Sequence, residues 1–167
     1  MSCMFARYFV ELPIDSTVVE QALTRSPESW LPGIADGAND RGRRLLAEVG
    51  FGEDVRVHKA VEIKFGDPLR IPAKTILPLT WTAAGTPGLF PTLDADLEIA
   101  PLGSRHTQLS MSARYVPPLG AFGKAVDRAV LHRVAEATLK DFLDRVAEAL
   151  LSGTTDRNPV ASYDLLA

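Results

Sequence analysis

One uninterrupted stretch near the end of the chain restricts the possible folds most. Residues 121–151 contain no proline, and their one glycine, Gly123, lies in the first turn. Such a stretch predicts a single helix about 45 Å long, with Gly153 as its C-cap. Because a helix of this length has a long apolar side, the rest of the chain must supply a broad surface against which that side packs.

The apolar side chains of this helix lie on two different sides. An early group (Phe122, Val126 and Val130) lies on a different side from a late group (Leu139, Phe142 and Val146), because the i+4 row of apolar residues winds round the helix axis. Either the helix bends within a curved sheet, or its first turns form a separate segment that ends near Ala129. Both groups are apolar, so both should be buried. We expect the late group to pack on a sheet. The early group faces either a cavity or a second subunit, and the cavity is favoured because residues 117–120 would place the start of the helix close to Trp30.

The surface that covers the helix is predicted to be a sheet, because apolar and polar residues alternate along much of the chain. Residues 3–12 read as a first strand, and five further alternating segments follow at 44–51, 55–65, 75–83, 93–100 and 108–115. Consecutive half-buried strands with short polar turns indicate an antiparallel meander, which the first strand can join. Pro78 predicts an edge strand or a bulge.

Between the first strand and the meander, the sequence predicts two short helices. Asp15 or Ser16 can cap a helix over residues 17–24, and Ser26 with Pro27 begins a second helical turn that stops at Gly33. Residues 33–42 are rich in glycine, aspartate and asparagine and are predicted to form a loop. We expect one domain over residues 1–151 and a flexible tail over residues 152–167, where Gly153 and Pro159 disfavour a helix.

Composition excludes several classes of protein. The chain has 167 residues and a net charge of −3, so charge does not favour nucleic acid as a partner. Its one cysteine, Cys3, cannot form an intrachain disulfide, which together with the lack of a signal-peptide pattern predicts a cytoplasmic protein. No apolar stretch approaches the roughly 20 residues that span a bilayer, so we expect no stable membrane insertion.

The order of the predicted elements resembles the START-like, helix-grip superfamily, also called SRPBCC proteins. The local sequence is similar at Trp30–Gly33 (WLPG), at 97–103 (LEIAPLG), and at 115–120 (YVPPLG) followed by 127–138, particularly to actinobacterial members. The resemblance implies an α+β helix-grip fold, with a curved antiparallel sheet of six to seven strands round a long C-terminal helix. The superfamily includes lipid carriers, polyketide cyclases and aromatases, hormone binders and quinone-binding proteins, so it implies no single activity.

Few polar residues break the pattern in a way that suggests chemistry. Lys59 falls in phase with the inward residues of its strand. It is either a functional residue, as an anchor for a ligand carboxylate or phenolate or as a lysine of lowered pKa, or the sign of a bulge or of a strand end at which the side chain reaches solvent. No histidine pair has metal-ligand spacing, and the acidic row Asp94, Asp96 and Glu98 falls on the solvent side of its strand. His132 is either catalytic or part of an exposed helix face with ion pairs.

The interpretation that fits these observations is a binding or carrier protein for a small hydrophobic molecule, such as a lipid, polyketide or isoprenoid. The cavity is expected between the sheet and the C-terminal helix, with no cofactor and no metal, in a monomer or a homodimer. An alternative is a polyketide cyclase, aromatase or dehydratase in which Lys59, Tyr115 or Arg133 orients or protonates an enolate. The predicted ligand-binding residues are Trp30, Lys59, Val61, Leu79, Trp81, Leu97, Met111, Tyr115, Phe122, Val126 and Val130.

Overall fold

Six strands and three α-helices make up the part of the chain that the computed structural model describes, residues 3–48, 61–83, 92–116 and 128–157. A single 3-10 turn, Pro27–Ser29, links the first two helices. The elements in chain order are β1 (Met4–Leu12), α1 (Ser16–Arg25), α2 (Leu31–Glu48), β2 (Val61–Phe65), β3 (Leu69–Ile71), β4 (Lys74–Ala83), β5 (Leu93–Pro101), β6 (Thr107–Tyr115) and α3 (Arg128–Arg157).

The strands form one antiparallel sheet in the order β1-β6-β5-β4-β2, with the short β3 beside β4. The first strand joins the sheet, as predicted, by pairing with the last. Short turns join β3 to β4 and β5 to β6, and in the β5–β6 turn Gly103 adopts a φ of 72°, a conformation that side chains with a Cβ rarely tolerate.

The concave face of the sheet consists of the residues that the alternating pattern placed inward. Phe142 of α3 lies over this face, with its ring 5.3 Å from that of Trp81 on β4 in an edge-to-face arrangement. Because α3 also packs on β1, which lies three strands from β4 and thus roughly 14 Å across the sheet, the sheet must curve round the helix. The buried residues of β4, β5 and β6 on this face are Thr75, Leu77, Leu79, Trp81, Leu93, Ala95, Leu97, Ile99, Thr107, Leu109, Met111, Ala113 and Tyr115.

The region after α1 differs most from the sequence-based prediction. Residues 33–42 are not a loop, and residues 44–48 are not a strand, because both belong to α2, which packs along α3. The buried residues Leu31, Ala35, Ala38 and Gly42 recur at helical spacing, so burial against α3 outweighs the low helix propensity of glycine. Gly37 allows a close approach, since a Cβ there would lie 2.8 Å from the Arg145 guanidinium. The rest of the predicted strand, residues 49–51, lies outside the described residues.

Pro78 is not on an edge strand, because β4 lies between β5 on one side and β2 and β3 on the other. The Gly66 N–H donates to the Pro78 carbonyl (2.8 Å), at the point where β2 has ended and β3 has not begun. The carbonyl and nitrogen of one strand residue point to the same side. The absent N–H of Pro78 therefore falls in a gap between two partner strands, which explains why a proline is tolerated inside the sheet.

The long helix ends later than the sequence indicated. It continues to Arg157, so Gly153 lies inside it rather than capping it at residue 151. Gly153 is exposed, and a glycine in an exposed helix interior costs only about 1 kcal/mol. Residues 152–157, predicted as tail, are thus helical, whereas residues 121–127 and 158–167 lie outside the described residues. Among the described helices, none combines the length, hydropathy and low charge of a membrane-crossing segment.

Asn39 on α2 is a buried amide whose Nδ2 and Oδ1 atoms have no hydrogen-bond partner among the described residues. Because an unpaired buried amide loses its hydration without compensation, Asn39→Leu is expected to raise the free energy of unfolding by about 1–2 kcal/mol, measured by urea denaturation. Thr138→Val is the control, because it removes a buried polar group that does have a partner. The Thr138 hydroxyl donates to the Val134 carbonyl within the same helix (2.8 Å). A less stable Asn39→Leu protein would contradict this assignment.

Candidate functional site

Tyr115 is a polar group at the end of the mostly apolar concave face. It is the last residue of β6, paired with Met4 on β1 and Leu93 on β5, and only 2% of it is exposed. Its hydroxyl lies 3.1 Å from His132 Nδ1, and His132 Nε2 lies 3.2 Å from Glu136 Oε1. A proton on Nε2 would pair with the carboxylate and leave Nδ1 to accept from the phenol, so both contacts are satisfied by one tautomer.

This Tyr115–His132–Glu136 chain runs from the interior to the surface. The His132 and Glu136 side chains are 34% and 54% exposed. Burial, and secondarily the negative charge of Glu136, raises the pKa of Tyr115 to about 12, so the phenol stays protonated at neutral pH. The arrangement ties the beginning of the described part of α3 to the end of β6, and it links an interior hydroxyl to solvent through groups that exchange protons.

Sequence reasoning identified Tyr115 and noted His132 and Glu136 but did not connect the three. Glu136 forms its ion pair with His132, four residues earlier in the helix. Arg133, which the sequence had also suggested as a functional residue, is exposed. The sequence feature that could have indicated this contact was Tyr115 itself, because a phenol predicted at an inward strand position needs a hydrogen-bond partner.

The predicted ligand-binding residues fall in three places. Lys59, Phe122 and Val126 lie outside the described residues, and Val130 is half-buried on α3. Trp30 is half-buried beside α1, where it packs against the edge of the core and lines a separate cleft. The others are buried on the sheet, and two of them, Leu97 and Met111, have no accessible surface at all. These sheet residues are Val61, Leu79, Trp81, Leu97, Met111 and Tyr115. Their role as ligand contacts stays a prediction.

The acidic row on β5 lies on the outer face of the sheet, as its alternation predicts. Glu98 pairs with Lys74 (2.8 Å), and the Thr80 hydroxyl donates to the exposed Asp94 (3.2 Å). Within residues 3–48, 61–83, 92–116 and 128–157, no three histidine, cysteine, aspartate or glutamate side chains are grouped so that they could hold a metal ion.

Trp30 lines a cleft of about 630 Å³ between α1 and the last turns of α3. Its floor is anchored to the sheet, since the Ile14 carbonyl accepts a hydrogen bond from the buried Thr107 hydroxyl (2.7 Å). The volume is within the range of small-molecule sites, about 300–1,000 Å³. The lining residues are Ile14, Val18, Gln21, Ala22, Arg25, Ser26, Ser29, Trp30, Ala149, Leu150 and Gly153.

A second groove, of about 530 Å³, runs between α2 and α3 and has a different character. Two of its acids are paired with bases, Asp141 with Arg145 (2.7 Å) and Asp144 with Lys140 (2.5 Å). Seven of the nine residues that line this groove are charged, four basic and three acidic, whereas the lining of the Trp30 cleft is mostly apolar.

Comparisons with known proteins find similarity only among solved structures. No family model and no curated protein matches the chain. A conserved protein from Geobacillus kaustophilus is 17% identical, with 90% of this chain and 97% of that chain covered and a TM-score of 0.49. Ara h 8.0201 is 11% identical (90% and 99% covered, TM-score 0.48). The Zhui aromatase/cyclase from a Streptomyces species is 14% identical (92% and 96% covered, TM-score 0.45).

At these identities and TM-scores, the likeness gives no information about a ligand or a reaction. The fold follows instead from the chain's own elements. One strand precedes the helices, the remaining antiparallel strands come next, and the long last helix packs against their concave face. This order and topology make the chain an α+β protein of the helix-grip fold.

Proposed function

We propose that the protein binds a small, largely apolar molecule, of the size of a lipid, polyketide or isoprenoid, and that the cleft beside Trp30 is where it binds. The observation that carries the proposal is this cleft of about 630 Å³, with apolar walls from α1 and α3. A site between the sheet and α3 has less support, because Leu97 and Met111 on that face have no accessible surface against which a ligand could lie.

The alternative of a cyclase or dehydratase needs several polar groups around one cavity. Arg133 is exposed, Lys59 lies outside the described residues, and the Tyr115 hydroxyl is paired with His132. The described residues therefore do not bring together the set that such an enzyme requires, and we favour binding without chemistry.

Binding of naphthalene, measured by equilibrium dialysis, tests the proposal. Val18, 38% exposed on the cleft wall, can be replaced by glutamate without disturbing the core. Because a carboxylate in an apolar cleft must lose part of its hydration when the ligand enters, Val18→Glu is expected to weaken naphthalene binding about tenfold. Thr17→Glu, on the exposed neighbouring position, adds the same charge outside the cleft and should bind as the wild type does.

Two results would contradict this proposal. Naphthalene affinity that is equal in the Val18→Glu and Thr17→Glu proteins would place binding elsewhere. A change from dimer to monomer on Val18→Glu, seen by size-exclusion chromatography, would identify the cleft as a contact between subunits rather than a ligand site.

A further inference from the structure

We infer that the ligand of the Trp30 cleft is a free monoanionic amphiphile, whose carboxylate-type group lies at Arg25 and whose apolar body extends along α1 towards Ile14. This inference rests on the proposed function and specifies the chemical class of the ligand. It follows from how charge and apolar surface are distributed along the cleft.

One face of α1 forms a wall of the cleft. Val18, Gln21, Ala22 and Arg25 recur at helical spacing, while the opposite side of α1 buries Val19 and Leu23 in the core. From Val18 to Arg25 the wall is about 10 Å long at 1.5 Å per residue. The charged residue stands at one end of this wall and apolar residues at the other, so the cleft itself is amphipathic.

The hydrogen-bond donors at the charged end are limited. The Ser26 hydroxyl donates to the Arg25 carbonyl (2.6 Å), and the Ser29 hydroxyl donates to the Ser26 carbonyl (2.7 Å). Both hydroxyl protons are therefore engaged locally. The guanidinium of Arg25 forms no salt bridge with any described residue, and no carboxylate is among the described residues that line the cleft.

An unpaired guanidinium beside apolar surface selects an anion. Its planar set of N–H groups matches the two oxygens of a carboxylate. The free carbonyls at the C-terminus of α1 oppose this preference, but they amount to about half a negative charge against the full positive charge of Arg25. Arg25 is thus the one charged side chain among the described residues that line the cleft, and the lining carries a positive charge at this end.

The test compares 2-naphthoate with its neutral counterpart 2-naphthamide by isothermal titration calorimetry. Wild-type protein is expected to bind 2-naphthoate about three- to fivefold more tightly, which is the upper range for a partly exposed ion pair, and the difference should shrink as salt is added. Arg25→Gln should remove the difference. Arg105→Gln, which neutralises an exposed arginine in the β5–β6 turn, is the matched control and should retain it.

The possible outcomes distinguish a failure of the inference about an anion from a failure of the proposed apolar binding. If both probes bind equally well to the wild type, or if Arg25→Gln keeps the preference for 2-naphthoate, the inference about an anion is wrong while apolar binding stands. If neither probe binds, the proposed function fails and the inference with it. If the protein instead co-sediments with phosphatidylglycerol vesicles in an Arg25-dependent way, the cleft contacts a membrane surface and the free-ligand assignment is overturned.

Discussion

Replacing Phe142 with alanine is expected to lower the free energy of unfolding by about 3–5 kcal/mol. Phe142 is fully buried, and its ring packs edge-to-face on Trp81 across the gap between α3 and the sheet. The substitution would leave a cavity that the curved sheet and the helix cannot close by a small shift, since both are held by neighbours on either side. Urea denaturation, followed by circular dichroism, measures the loss.

The size of this effect is meaningful only against matched variants. Phe5→Ala removes the same side chain from an exposed position (56% exposed), and it should change stability by no more than about 0.5 kcal/mol. Trp81→Ala combined with Phe142→Ala should cost less than the sum of the single changes, by about 0.5–1.5 kcal/mol, if the ring pair itself contributes. A loss below about 1 kcal/mol for Phe142→Ala would mean that α3 does not pack on the sheet in this way.

Above pH 10, the protein is expected to lose up to roughly 2–3 kcal/mol of stability relative to a Tyr115→Phe variant. The folded state raises the pKa of Tyr115 from 10.0 to about 12, mainly by burial and further by the charge of Glu136. A raised pKa means that folding favours the protonated phenol. This contribution is complete below pH 10, where the unfolded chain is also protonated, and it is lost as the pH rises through 12.

Unfolding free energies of the two proteins, measured in parallel between pH 8 and pH 12, test this prediction. The difference between the wild type and Tyr115→Phe should be constant up to about pH 10 and then change in favour of the variant. Two parallel curves over the whole range would show that Tyr115 titrates as an ordinary exposed tyrosine, and the buried contact with His132 would then be wrong.

The alternation of apolar and polar residues predicted the sheet well, because side-chain direction in a strand depends only on local sequence. The inward rows of β4, β5 and β6 are those that the pattern indicated. The same local rules failed for α2, where glycine, aspartate and asparagine suggested a loop. Only the contact with α3, which is distant in sequence, makes the small residues Ala35 and Ala38 part of a buried helix face.

Contacts between distant residues also explain why the candidate sites could be predicted only in part. Tyr115 and His132 come together because β6 and α3 pack side by side, and no periodicity in either segment indicates that pairing. The Trp30 cleft is formed by α1 and by turns of α3 that were predicted to lie at or beyond the helix end. A sequence pattern can indicate which residues are buried, but not which surfaces leave a gap between them.

The pairing of β1 with β6 has a consequence for how the chain folds during synthesis. Met4 lies opposite Tyr115, so β1 must wait until about a hundred further residues have been made before its partner strand exists. Until then, its apolar side chains have no permanent neighbours. Because this contact joins segments so far apart in the chain, we expect its closure to be a late step in folding.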